Sequence, residues 1–471
     1  MTIQQALRLA LQHQQSGQLE EAESICRQIL AVRPDDPQTL NVYAIIAFQS
    51  NRIDLAEKLI RGAIRGNPAS AGFHTNLGRI FAGSRRLDEA IAAYQRAIEL
   101  DPLAADAMNN LGNALRARGQ LEPALNVYRQ ALQARPGHVE AHSNLAAALE
   151  AAGQYSAATQ AYRRIVELLP DSADAHVQLA MALLADGELS DGWKHYEWRL
   201  RSASAAIFKQ TFPQPRINSI DDVRGKRVLL YGEQGLGDTI MFCRYATLIA
   251  QQGAEVILGV RPELKRLMSS LPGVRQVIAS GDPLPKFDLH SPLMSLPHVL
   301  NTTLATIFSP VPYLSADPQL VRQWESRLAS LPPGMRIGIC WRGSQMQEGL
   351  HRSPPPAVVQ RWVKQSNTTL VSLQKDSDAR IERVIDWSHE LHDFADTAAL
   401  IANVDRVISV DTAVAHLAGA MGKPTALLLS DIADWRWLRD REDSPWYPTM
   451  RLLRMSSPGD WEPLVRAAIG G

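Results

Sequence analysis

Two stretches carry residue types suited to holding and handling a phosphorylated ligand. The first is Asp411-Thr-Ala-Val-Ala-His416, which runs into Leu417-Ala-Gly-Ala-Met-Gly-Lys-Pro424 after the apolar run Val407-Ile-Ser-Val410. The pattern predicts a strand, then an Asp-Thr pair at a helix start, then a glycine turn into another strand. A helix start presents unpaired N–H groups that favour a phosphate, here from Thr412 and Ala413 onward. Asp411 or Thr412 can cap it, and His416, one turn in, either reaches the same ligand or packs in a satisfied interface.

The second stretch is Tyr231-Gly-Glu-Gln-Gly-Leu-Gly-Asp-Thr-Ile240. It lies between the apolar run 228–231 and the apolar-periodic segment 240–250, so it reads as the turn of a strand-loop-helix. Gly235 and Gly237 let a charged ligand approach the backbone, and Asp238 sits where a helix N-cap belongs. The spacing is not the G-x-G-x-x-G of dinucleotide sites. Glu233 is either a second acid in this loop or a solvated side chain.

Two further loops matter. Arg342-Gly-Ser344 and, shortly after, Arg352 follow the apolar run 336–341, and the two arginines suit a diphosphate. Trp435, Trp437, Trp446 and Tyr447 crowd the segment 434–448 after the run 425–429. Trp435 or Trp437 either stacks on a base or sugar or forms the core of an irregular cap. His290 and His298 are too isolated to make a metal site, and nothing in the chain asks for a metal or cofactor.

The elements that position these loops follow from hydrophobic pattern. Short apolar runs at 228–231, 255–260 and 274–279, with another ending at 288–290, alternate with helix-sized gaps. The pattern restarts at 336–341, 369–373, 406–409 and 425–429, and 460–469 reads as a closing helix. This predicts two parallel sheets covered by helices, with ligands at the strand carboxyl ends. A proline-spaced strap, 206–225, precedes them.

The first part of the chain has a different logic. Prolines recur at 34, 68, 102, 136 and 170, an interval of 34 residues. In that register stand Ala22, Ala56, Ala90, Ala124 and Ala158, and small residues such as Gly78 and Gly112 follow each unit's packed leucine or tyrosine. Each unit is a helical hairpin in which the small residue lets the first helix cross close to the second, and the proline stops the second. One hairpin cannot bury its stripe, so the units must stack. A sixth unit decays from residue 173, with Gly192 in place of the alanine and Trp193 and Trp198 adding bulk. Asn76, Asn110 and Asn144, with Gln178 at the equivalent place, precede the packed leucines and either grip an extended peptide backbone or bridge neighbouring helices.

Composition excludes several classes. The 471 residues carry 49 basic and 49 acidic side chains, and residues 1–205 carry 20 and 22 of them, so no basic field awaits nucleic acid. There is no 18-residue apolar span or charged-then-apolar leader, and three scattered cysteines suggest a reducing compartment, so a cytoplasmic protein is expected.

The 34-residue pattern resembles the tetratricopeptide repeat family. The second half resembles the family-nine glycosyltransferases, typified by lipopolysaccharide heptosyltransferases, best over Asp411 to Pro424. That resemblance implies two Rossmann-like lobes of GT-B type, at 226–318 and 332–458, after a repeat domain at 1–205, with a closing helix at 459–471. It further implies metal-independent, inverting transfer of a sugar from a nucleotide-activated donor. The donor diphosphate would lie at Gly235, Gly237, Arg342, Ser344, Arg352, Asp411, Thr412, Ala413 and His416, and Asp238 resembles the family's base. The asparagine ladder is similar to that of repeat-bearing protein O-glycosyltransferases, and repeat fusions of this kind resemble flagellin-modifying enzymes. A protein acceptor is therefore expected, with an interaction scaffold of degenerate fold, or a glycolipid acceptor, as the competing readings.

Overall fold

The computed structural model describes residues 1–202, 211–343, 352–365, 368–375, 381–431 and 433–470. Ser344 lies outside the described residues. The chain divides into two compact units, residues 1–175 and 176–471.

In the first unit ten helices pair as five hairpins: α1 (Ile3–Gln15) with α2 (Leu19–Val32), α3 (Pro37–Gln49) with α4 (Ile53–Gly66), and α5 (Ala71–Gly83) with α6 (Leu87–Leu100). The remaining two are α7 (Ala105–Ala117) with α8 (Leu121–Ala134), and α9 (Val139–Ala151) with α10 (Tyr155–Leu168). The stacked alanines 22, 56, 90, 124 and 158 are all fully buried. A Cβ on Gly78 would sit 2.5 Å from the Tyr94 ring, and one on Gly112 2.5 Å from the Tyr128 ring. Helix backbone thus rests directly on an aromatic face, which is why the position must be small. The turn inside each hairpin uses a left-handed residue at the same register: Gly17 (φ 77°), Asn51 (57°), Arg85 (61°), Gly119 (75°) and Gly153 (70°). Glycine or asparagine serves that conformation at little cost, whereas arginine is strained there.

The asparagine ladder is used within the unit. Asn76 Nδ2 donates to Asn41 Oδ1 at 2.8 Å, and Asn144 Nδ2 donates to Asn109 Oδ1 at 2.9 Å. These amides bridge the first helices of successive hairpins, which draws donors away from a groove ligand. Asn110 is half-buried and Gln178, in the second unit, is exposed.

The second unit holds two all-parallel sheets. The first has the order β3-β2-β1-β4, with β1 Arg227–Tyr231, β2 Glu255–Val260, β3 Val274–Ala279 and β4 Leu289–Pro292. The second has the order β6-β5-β7-β8-β9, with β5 Arg336–Cys340, β6 Thr369–Ser372, β7 Arg406–Val410, β8 Thr425–Leu429 and β9 Met450–Arg454. Central strands β1 and β7 are buried from their second residue on, as parallel strands covered on both faces should be. The strap is pinned rather than loose, because His290 N–H donates to Pro215 O (3.1 Å) and Ile217 N–H to His290 O (3.0 Å). The helix-sized gap between the runs 255–260 and 274–279 holds only a 3-10 turn, Pro262–Leu264, followed by the single helical turn Lys265–Met268.

The decayed repeat packs with the sheets. Trp193 is 2 % exposed and meets the rings of Trp435 (5.3 Å), Phe242 (6.1 Å) and Trp446 (6.4 Å) edge-on. A Cβ on Gly192 would lie 2.6 Å from Leu184, so glycine is needed for this close crossing. The two sheet layers are cross-linked by Arg244, fully buried, which donates to Trp446 O (2.8 Å), Phe308 O (3.0 Å) and Tyr313 Oη (2.9 Å). A buried guanidinium is stable only when its N–H groups find such partners. Among the described residues no helix is long and apolar enough to cross a membrane.

Candidate functional site

The carboxyl ends of β1, β5, β6 and β7 open on one cleft of about 700 Å³. It is lined by Gly235 and Gly237 after β1, Arg342 and Gly343 after β5, Gln374 and Lys375 after β6, and Asp411, Thr412 and Ala413 after β7. Arg352, Arg261, Glu263 and Asp393 also line it. The turn at Asp238 and the helix start at Asp411 therefore border a shared cavity.

Each loop is fixed by local bonds. Arg342 N–H donates to Gln374 Oε1 (3.0 Å), and Gly343 N–H to Ser353 Oγ (3.1 Å). Thr412 Oγ1 bonds Ser409 Oγ at 3.1 Å and makes no bond to its own helix. The helix Ala413–Ala420 thus begins without a side-chain cap, and its first residues face the cleft. Four cations, Arg261, Arg342, Arg352 and Lys375, line the same space. An uncapped helix start beside guanidinium groups has the geometry and charge suited to an anion.

Asp238, expected as a base or as a helix cap, makes a capping bond and an ion pair. Its Oδ2 accepts the Gly235 N–H at 2.9 Å, capping the helix Leu236–Phe242, and its Oδ1 accepts from Arg436 Nη2. Its neighbours Gly235 and Gly237 line the cleft, but the carboxylate is turned toward Arg436. Arg436 also donates from Nη1 to Asp434 Oδ1 at 2.7 Å. Asp434 in turn lies 3.8 Å from Arg352, and Arg352 lies 3.5 Å from Asp411. A chain of alternating charge, Asp238–Arg436–Asp434–Arg352–Asp411, therefore crosses from one sheet's loops to the other's.

Environment separates the carboxyls. Burial and the neighbouring Asp434 charge push Asp411 up to about 6, against the pull of Arg352. Asp434 is held below the usual carboxylate range because Arg436 outweighs its burial. Glu233, 7 % exposed, is raised by burial although Arg199 Nη2 bonds it at 2.7 Å, so it is neither solvated nor in the cleft.

Three expected ligand groups are in the core. His416 is 4 % exposed; its Nδ1 bonds Tyr447 Oη (2.9 Å), its ring stacks on Trp437 (5.1 Å), and burial drives it down to about 3. It packs under the first loop, where a Cβ on Gly237 would lie 2.8 Å from its ring. Trp437 is fully buried and Trp435 is 3 % exposed, packed edge-on or tilted among Trp193, Phe242 and Tyr196, so neither offers a ring face to a base or sugar. The segment 434–448 is the irregular cap. Sequence reasoning passed over Asp434, Arg436, Gln374 and Lys375, although the last two follow β6 and the rule of strand carboxyl ends would have found them.

Comparison with known proteins gives two kinds of match. Residues 13–80 and 115–184 match one tetratricopeptide repeat model and 75–139 another, while 362–430 match the model of glycosyltransferase family 9 (heptosyltransferase). The latter span runs from before β6 through β8 and contains the Asp411 loop. The chain is 28 % identical over 308 residues to Protein FlbA of Caulobacter vibrioides, covering 59 % of this chain and 51 % of FlbA. It thus spans about half the length of that relative. Among solved structures, a thermophilic TPR protein of Thermus thermophilus is 23 % identical (39 % of this chain, 100 % of that one, TM-score 0.36). Pseudomonas aeruginosa pilF is 17 % identical (44 % and 93 %, TM-score 0.39).

Proposed function

We propose that this chain is a metal-independent, inverting glycosyltransferase of the GT-B type. Its two Rossmann-like lobes, one around each sheet, use a nucleoside diphosphate sugar as donor and a protein as acceptor. The observation that carries the reading is the uncapped helix start after Asp411, facing a cleft that also presents Arg342 and Arg352. The family 9 match over 362–430 supports the same assignment for the second lobe.

In this mechanism the donor diphosphate lies against the N–H groups at Ala413 and Val414, with Arg342 and Arg352 neutralising it. The acceptor hydroxyl approaches from the first-lobe loop at Gly235 and Gly237. Asp238 takes its proton: an ionised carboxylate has about four acceptor positions, and Gly235 and Arg436 occupy one on each oxygen. Arg436 then serves to aim the base. Direct attack inverts the anomeric carbon, and the cleft limits water that would hydrolyse the donor. The repeats capture the acceptor, an extended protein segment, in the cytoplasm, with Asn110 contributing an amide in place of the bridging Asn76 and Asn144.

The test is a thermal-shift panel of ADP-, UDP-, GDP- and CDP-sugars on the full chain, followed by mass spectrometry of host proteins with and without it. A donor that stabilises wild type and a protein that gains a sugar support the reading. No stabilisation by any member removes it, and leaves a scaffold whose lobes keep only the fold.

A further inference from the structure

Asp411 and Asp434 address the same nitrogen. Arg352 Nη1 lies 3.5 Å from Asp411 Oδ2 and 3.8 Å from Asp434 Oδ2. The two carboxylates differ in what else supports them. Asp434 Oδ1 accepts from Arg436 Nη1 (2.7 Å) and from the Arg436 N–H (3.1 Å). Asp411 has Arg352 as its ion-pair partner among the described residues, and that guanidinium is 36 % exposed on the cleft wall. An anion in the cleft therefore competes for the cation that does most to keep Asp411 ionised, ahead of the Arg436 charge.

We propose that Asp411 carries a proton in the donor complex and delivers it to the departing diphosphate, which makes it the general acid of the transfer. The proposal rests on the donor reading above and assigns a role to one of its residues. As the bond between the anomeric carbon and the phosphate oxygen breaks, its electron pair stays on that oxygen, which takes the Asp411 proton. The acceptor oxygen bonds the anomeric carbon and gives its proton to Asp238. One proton leaves Asp411 and one arrives at Asp238, and exchange with solvent restores both.

Two environments support this division. Burial and the Asp434 charge already hold Asp411 near 6 with Arg352 in place, and Asp434 keeps its charge through Arg436. A carboxyl pair whose members are pushed apart is how one site supplies an acid at neutral pH. The other charged groups around the cleft are Arg342 after β5, Lys375 after β6, Arg261 and Glu263 after β2, and Asp393, which is tied to Arg266. Asp238 faces Arg436 on the far side of Asp434. The cations nearest the donor path are those a diphosphate would occupy, so its arrival strips Asp411 rather than Asp434 of its partner.

The experiment is isothermal calorimetry of the full chain with the nucleoside diphosphate sugars named above, whose phosphates carry no titrating proton near neutrality. Each titration is run at pH 7.5 in two buffers of different ionisation enthalpy. The expected result is uptake of about one proton per donor bound by wild type, and none by Asp411→Asn. Binding by wild type with no proton uptake overturns the proposal and leaves the donor reading standing; this arm needs no variant to fold. Equal uptake by Asp411→Asn also overturns it, because the proton then goes elsewhere. If no donor binds wild type, the donor reading falls and this role with it.

Discussion

Arg436 and Asp238 form an ion pair between the loop after β8 and the loop after β1, although 198 residues separate them in the chain. Both are largely buried, at 9 % and 18 % side-chain exposure, and Arg436 is shared with Asp434. The proposed base is therefore held by a loop of the other sheet, so the packing of the two sheets and the aim of that carboxylate depend on the same bond.

Removing one side of that pair should be costly. Arg436→Ala leaves Asp238 without its cation and Asp434 with Arg352 at 3.8 Å, and a loss of about 3 kcal/mol is expected. The measurement is urea unfolding in a double-mutant cycle with Asp238→Asn, where a coupling of at least ~1 kcal/mol is expected. Additive effects would show that the contact is incidental.

The raised Asp411 sets a pH dependence. Its folded value is about 6, whereas an unfolded aspartate titrates near ~3.9. Between these the folded state binds the extra proton, so this group favours folding fully below the lower value and loses that contribution as pH rises through about 6. Asp411→Asn should then be more stable than wild type by about 1–3 kcal/mol at pH 8 and not at pH 4. Thermal melts across that range check the sign; a variant less stable at pH 8 would contradict it.

His416 predicts the opposite slope. Burial holds it near 3, so the unfolded chain takes up a proton below ~6.5 that the folded one refuses. Stability should fall as pH drops from there toward 3. His416→Gln removes the ring stacked on Trp437 and should lower stability at pH 7, but flatten the acid slope by up to ~1.4 kcal/mol per pH unit. An unchanged slope would mean that His416 protonates freely in the fold.

In the repeats, Arg85 is exposed and occupies a left-handed position that Gly17, Gly119 and Gly153 fill in other hairpins. Arg85→Gly should raise stability by about 0.5–1 kcal/mol, read by urea unfolding of the full chain. A loss would show that the arginine makes a contact worth more than the strain.

Much of this fold was legible because its signals are local. The strands 255–260, 274–279 and 425–429 fall where apolar runs bounded by turns placed them. The close crossings at Gly78 and Gly112 follow from the register of small residues. Strand β9 escaped because Met450-Arg-Leu-Leu-Arg454 carries two arginines and follows a proline-rich cap, which hides a strand at the sheet edge. At the site, the loops after strands were legible, but partners were not. Arg436 sits between two tryptophans in a segment that reads as a cap, and nothing near it in sequence announces Asp238. Asparagines in register signal a shared face, yet only coordinates show that Asn76 and Asn144 spend a donor on the neighbouring helix. His416 looked like a ligand because it follows Asp411 by one turn, and its burial under Gly237 depends on the other lobe.

The central claim is that the cleft between Gly235 and Asp411 holds a sugar donor by its diphosphate. The most direct measurement is calorimetric titration of a nucleoside diphosphate sugar, chosen by thermal shift, into wild type and into Arg342→Ala and Arg352→Ala. The account predicts binding by wild type and a loss of at least about tenfold in affinity for each variant, equal to roughly 1.4 kcal/mol. Donor binding that neither substitution weakens would contradict it.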